Sequence, residues 1–307
     1  MVRLVTFGSC ISLVVLMNSQ CLSQGENGLS LMEAMWANSD SIANYDVSYK
    51  HWIGFYPAEE KKPINLEHVS DCLTTGRIVV DRKAERILFV RERVMKLGSR
   101  EENSLFCAGL HKGLETSFSD LDPYPVTSPR SLQRFYMVRE VPVVERTVSW
   151  FPELLSNQTL DQIRDNEKRT YESSTVIRRQ DGSSTVAAKF LNSSRYHYRI
   201  SFDPVSSMPT SHGIDEYLPG SNTFVKNVSS GNPRFEKSKE IYRIVSIEYN
   251  KPESVARNLR VETVGTCVFT WHQFNEEKIH FPSDDGKVFG LQEAKKFVAF
   301  EEGEHSK

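Results

Sequence analysis

The chain has 307 residues, with 38 Lys and Arg against 40 Asp and Glu, for a formal net charge of −2. So balanced a charge gives no electrostatic footprint for nucleic acid or for an anionic membrane surface. The length fits one large β domain or two small ones.

The chain opens MVRLVTFGSCISLVVLMNSQCLSQGENG. Arg3 precedes an apolar run from Leu4 to Met17, and polar residues follow at once. That is the layout of a secretory signal peptide, since a spanning helix needs about 20 apolar residues. Cleavage after Ser23 makes residues 1–23 the signal and 24–307 the mature domain, exported to the periplasm or cell envelope. Cys21 leaves lipidation as the alternative. No later run is long enough to span a membrane.

Ser30-Leu31-Met32-Glu33 reads as a capping box, with Ser30 as N-cap. Leu31, Met32, Met35 and Trp36 then give a helix its apolar face, and Asn38, Ser39 and Asp40 end it. IANYDVSYKHWIGF follows. Tyr45, Val47, Tyr49, His51, Ile53 and Phe55 alternate with Asn44, Asp46, Ser48, Lys50, Trp52 and Gly54. Period two marks a long one-sided strand.

Residues 56–71 read as an exposed charged loop. GRIVVDRKAERILFVRERV, Gly76 to Val94, reads as a hairpin turning at 81–85. Pro123, Pro125 and Pro129 make a long loop over 98–130. FYMVRE and VPVVERTV are short strand candidates. Thr159 and Gln162 open a polar helix to about Tyr171. Asp181-Gly182, between two β-branched runs, is a hairpin turn. RYHYRISF puts Tyr196, Tyr198, Ile200 and Phe202 on one side, and Arg195, His197, Arg199 and Ser201 on a wet one. Residues 203–238, rich in Pro, Gly and Ser, read as a long excursion. Strands return at EIYRIVSIEY, NLRVETV and TCVFTWHQF, then KIHFP after a turn at Asn275–Glu277. Leu291 to Phe300 closes the chain as a helix or strand.

Nine to eleven strands with few, early helices argue against βαβ units. The expected fold is mainly β: one curled antiparallel sheet, packed on the N-terminal helix and short helices. A sheet of that many strands must twist and curl, which gives it a concave face.

The element order then resembles a known family. A signal peptide, a short helix, a NYDVSY strand and the GRIVVDRKAERILFV hairpin come first. RISFDPVSSMP and TWHQFNEEKIHFP come later. This is similar to the periplasmic lipoprotein-sorting carriers of the LolA/LolB type, as a large divergent bacterial member. The resemblance implies a half-open β-barrel whose apolar concave face receives an acyl chain of a lipid or lipoprotein, with no cofactor. The cavity-lining candidates are Tyr45, Val47, Tyr49, Ile53 and Phe55, with Tyr196, Tyr198, Ile200 and Phe202, and with Met35 and Trp36 from the helix. Arg77, Arg91 and Arg178 lie on candidate strands, but none matches the family's cavity arginine. The alternative is a non-enzymatic envelope interaction module, of the same fold but with a filled core.

Enzyme chemistry has little support. There is no G-x-S-x-G, H-E-x-x-H or P-loop. His272 and His280 lie on two arms of a candidate hairpin, but Cys267 points away from His272. Asp120/Asp122 and Asp284/Asp285 sit in turns, where Asp is favoured anyway. Cys72, Cys107 and Cys267 allow one disulfide, Cys72–Cys107 being the shorter loop, or three isolated thiols.

Overall fold

The computed structural model describes residues 28–57, 70–97, 99–119, 126–129, 160–189, 195–221, 223–256, 259–281 and 297. The signal segment, Cys21, the two acidic pairs, FYMVRE and VPVVERTV lie outside them. So does the closing segment, apart from Phe297.

Helix α1 (Gly28–Asp40) leads into β1 (Asn44–Pro57), β2 (Ser70–Asp81), β3 (Arg86–Leu97), β4 (Arg100–His111), β5 (Leu114–Ser119) and β6 (Val126–Pro129). Helix α2 (Leu160–Glu172) follows. Then come β7 (Thr175–Arg178), β8 (Ser184–Lys189), β9 (Tyr196–Phe202), β10 (Pro209–Tyr217), β11 (Phe224–Ser238), β12 (Ile241–Ala256) and β13 (Leu259–Phe274). All thirteen strands form one sheet, in the order β6-β5-β4-β3-β2-β1-β13-β12-β11-β10-β9-β8-β7. Every pairing is antiparallel. The sheet is curled and does not close.

The topology is therefore two meanders. The first runs from the centre, at β1, out to the β6 edge. The second starts at the opposite edge, with β7, and returns to the centre with β13. The two are joined by β1 against β13, from Tyr45↔Phe274 to Pro57↔Val261. Asn275 locks the seam: its Oδ1 accepts from the Ala43 N–H (2.6 Å), and its Nδ2 donates to the Ser41 carbonyl (2.9 Å).

Several expectations change. Residues 203–238 are mostly sheet, forming β10 and β11, and 100–119 form β4 and β5. Proline and glycine suggested loops there, but Pro209 opens its strand and Pro233 lies opposite Ile247. Pro129 ends a short edge strand instead of lying in a loop. α1 begins two residues before its expected cap. The Gly28 N–H donates to Ser174 Oγ (2.9 Å), and a Cβ at Gly28 would overlap Ser174 and Val186. Close packing holds that end. Residues 278–281 form no strand: Ile279 and Phe281 pack on the convex face against Val79, Leu88, Val90, Leu105 and Cys107. The Arg86 guanidinium lies 4.0 Å from the centre of the Phe281 ring.

Cross-strand register puts Tyr45, Val47 and Tyr49 on the same face as Val80, Ile78 and Gly76 of β2, and as Phe274, Trp271 and Phe269 of β13. The helices cover part of that same face. Met32, Met35 and Trp36 of α1 and Tyr171 of α2 cluster with Val176, Val186, Ala188, Ile200 and Phe202.

Candidate functional site

The concave face is graded along the strands. Its first zone, at the β2–β3 turn end, is solid core. Tyr45, Val47 and Tyr49 are each 0% exposed. They pack with Ile42, Ile78, Val80, Ile87, Phe89, Leu110, Met208, Ile244, Phe269 and Phe274. Tyr45 meets Trp271 edge-on at 5.8 Å, and Tyr49 meets Phe269 at 6.4 Å. Trp271 Nε1 donates to the Ile244 carbonyl (2.7 Å), which satisfies the indole without opening the core.

A polar row crosses the sheet next. His51 pairs with Thr74, and Thr74 with Arg93. His51 and Thr74 are buried, and Arg93 is half-buried. His51 Nε2 is hydrogen-bonded to the Tyr249 hydroxyl at 2.6 Å. Burial, and then the field of Arg93, push the His51 pKa down to about 4, so the ring is neutral at physiological pH.

Beyond that row exposure is uneven: Cys72, His212 and Thr263 stay buried, and other positions open. Ile53 and Phe55 are half-buried, as are Met95, Ile214 and Tyr249. Tyr196 and Tyr198 are half-buried too, at the same end of β9. Thus the eleven sequence candidates separate into three groups. Tyr45, Val47 and Tyr49 are core. Met35, Trp36, Ile200 and Phe202 belong to the separate helix-covered cluster. Ile53, Phe55, Tyr196 and Tyr198 keep some exposure.

Rings lie over glycines on this face. A Cβ on Gly76 would overlap the Tyr49 ring, and one on Gly265 would overlap the Tyr249 ring. Both glycines are the direct cross-strand partners of those tyrosines. The rings take the space a side chain would fill, so the backbone stays covered where the strands lack one.

The two helices are joined by a carboxyl contact. Trp36 Nε1 of α1 donates to Glu167 Oε2 of α2 at 3.0 Å. Burial raises the Glu167 pKa to about 8, despite the Trp36 hydrogen bond and nearby Arg164, which both oppose the rise. Arg164 reaches back to Asp40 of α1 at 2.9 and 2.5 Å.

The enzyme candidates do not assemble. His272 Nε2 bonds Ser48 Oγ (2.7 Å), whereas Cys267 lies opposite His51 in the concave core. Cys72, Cys107 and Cys267 are all buried, and no disulfide joins them. Cys107 packs on the convex side, so the Cys72–Cys107 bridge is not made. Burial pushes the Cys267 thiol far up, away from nucleophilic use. His197 is not simply solvated: it stacks on Tyr217 at 4.1 Å. Among the described residues, no three His, Cys, Asp or Glu are grouped to hold a metal, and no helix is long and apolar enough to cross a membrane.

No family model matches this chain, and no curated protein does. Solved structures do. An outer membrane lipoprotein-sorting protein domain from Vibrio parahaemolyticus is 9% identical, with a TM-score of 0.41, over 82% of this chain and 96% of that one. A DUF1329 family protein from Desulfovibrio piger is 9% identical, with a TM-score of 0.38, over 80% of this chain and 92% of that one. Both TM-scores are low.

Proposed function

We propose that the chain is an exported, non-enzymatic carrier that holds an acyl chain of a lipid or lipoprotein on the less filled end of its concave face. Ile53, Phe55, Tyr196 and Tyr198 meet the guest, beside Met95 and Ile214. Tyr45, Val47, Tyr49, Ile200, Phe202, Met35 and Trp36 form the rigid wall behind it. The observation that carries this reading is the gradient along β1: side chains at 0% exposure at Tyr45, Val47 and Tyr49 give way to half-buried ones at Ile53 and Phe55 on the same face. Each methylene placed there is worth about 0.8 kcal/mol, so a long chain binds without specific chemistry.

Native mass spectrometry of the mature protein, purified gently from a periplasm, tests it. A stoichiometric phospholipid or acylated species supports the carrier. A clean apo mass, with no uptake of a fluorescent fatty acid, overturns it. An Ile53→Arg variant should keep the fold and lose uptake by about tenfold or more, because a guanidinium would enter the apolar contact.

A second reading has its own support. The packed zone around Tyr45, Val47 and Tyr49 suits an envelope interaction module with a filled core. The apo outcome would favour it.

A further inference from the structure

The β10–β11 turn carries an apolar tip. Leu218, Phe224 and Val225 are 50%, 55% and 45% exposed, and Pro219 is exposed beside them. Single exposed apolar side chains are ordinary, but a group of them marks a contact surface. Glu216 pairs with Lys226 and Tyr217 with Phe224, so Val225 is an extra, bulged residue. Tyr217 meets Phe224 edge-on at 5.9 Å and stacks on His197, which backs the tip with rings. Burial, and then the field of Lys189, lower the His197 pKa, so the stack is neutral at physiological pH.

The turn satisfies polar groups of its own. The Leu218 N–H donates to the Thr223 carbonyl (3.0 Å), and the Ser221 N–H to the Leu218 carbonyl (3.1 Å). Ser221 Oγ donates to that same carbonyl (3.2 Å) and accepts from the Thr223 N–H (3.1 Å). Pro219 has no N–H to satisfy. Gly220, at φ +74°, has nothing within 4 Å of where a Cβ would stand, so the turn faces open space. A tip built this way leaves water at little polar cost. By contrast, the start of β4, at the same end of the sheet, exposes Arg100, Glu101 and Glu102.

Positive charge surrounds the tip. The nearby acids, Asp215 and Glu216, are buried. Arg199 donates to Asp215 (2.8 Å), and Arg195 to Glu216 (2.6 Å), with Lys226 at 3.9 Å from Glu216. Arg195 and Lys226 still keep 54% and 42% of their side chains exposed, and Lys189, opposite His197, is exposed too. Four cations thus stand against two acids, and the charge presented outward is positive. Apolar chains ringed by cations complement the two layers of an anionic bilayer, its acyl boundary and its phosphate plane. The tip lies at the end of the sheet that carries the acyl contact. Tyr196 pairs with Glu216, and Ser230 of β11 is level with Gly54, between Ile53 and Phe55, through Asn250 and Val264.

We propose that the β10–β11 tip docks the protein onto an anionic phospholipid surface. Leu218, Phe224 and Val225 enter the acyl boundary, and Lys189, Arg195 and Lys226 meet the phosphates. Docking turns the end of the concave face with Ile53, Phe55, Tyr196 and Tyr198 toward the bilayer. The docking itself does not depend on the carrier reading.

Vesicle co-sedimentation of the mature protein tests this, with phosphatidylcholine alone and with about 30% phosphatidylglycerol added. Binding to the anionic vesicles should be about tenfold stronger than to the neutral ones. Leu218→Ser and Phe224→Ser should each weaken it about fivefold, with circular dichroism unchanged. Lys189→Glu should weaken it about tenfold on the anionic vesicles alone. Phe224→Trp should keep binding, and its added fluorescence should shift to the blue on the vesicles as the ring leaves water. Absence of binding to the anionic vesicles overturns the proposal, and so does equal binding in the two serine variants. An added emission that does not shift also overturns it, since the chain then meets the bilayer elsewhere. Ile53→Arg should bind vesicles as the wild type does, and Leu218→Ser should keep its fatty-acid uptake, so the docking and the carrier readings fail independently.

Discussion

Glu167→Gln isolates the carboxyl contact between the two helices. With its pKa raised to about 8 from 4.5, Glu167 is protonated in the folded protein at neutral pH. In the unfolded chain it ionises near the ordinary value. Between the two values the folded state binds more protons, so stability is fully present below about 4.5 and is lost as pH rises toward 8. The whole interval corresponds to about 5 kcal/mol. Glu167 is only half-buried by surface exposure, so water screens part of this, and about 2 kcal/mol is the expected loss. Glutamine keeps an oxygen to accept from Trp36 Nε1 but cannot ionise. Urea unfolding at about pH 5 and pH 8.5 therefore should show a midpoint that falls in the wild type and stays level in Glu167→Gln, once other groups are subtracted. Equal losses in the two proteins would refute the reasoning and place the carboxyl in water.

His51 should act in the opposite sense: its depressed value, about 4, means stability is present above 6.5 and is lost as pH falls toward 4, and His51→Gln should flatten that acid limb in the same urea series. Gly76→Ala should cost about 1–3 kcal/mol, because a methyl there overlaps the fully buried Tyr49 ring; an unchanged urea midpoint would show that the ring moves aside freely. The three buried thiols should resist a thiol reagent until the chain unfolds, and adding a reductant should leave the melting temperature unchanged.

Local pattern carried some elements of this fold directly. The alternation from Tyr45 to Phe55 survives as the inward face of β1. The Asp81–Glu85 turn forms, with Glu85 at φ 48°, and Asp181-Gly182 turns between β7 and β8. The polar helix ends at Glu172, one residue from its expected stop. What local pattern missed has physical causes. Gly213 and Gly231 read as loop residues, yet each sits where a neighbour occupies the space of its missing side chain: the Ser229 carbonyl in one case, the His212 ring in the other. The pairing of β1 with β13 spans most of the chain and leaves no trace in short-range periodicity. Within the candidate site, alternation found which side chains share a face. It could not tell Tyr45 from Ile53, because filling depends on strands far away in sequence.

The seam at the centre of the sheet has a consequence for how the molecule is made. β1 has β2 beside it early, but its other edge is completed only by β13. While the second meander is still missing, β1 is an open edge carrying Val47, Tyr49 and Ile53, able to pair with any other extended chain. Closing that edge requires a loop of more than two hundred residues to be brought in, which makes folding slow and exposes it to aggregation. Such a protein gains from being kept unfolded, or chaperoned, until its last strand is available.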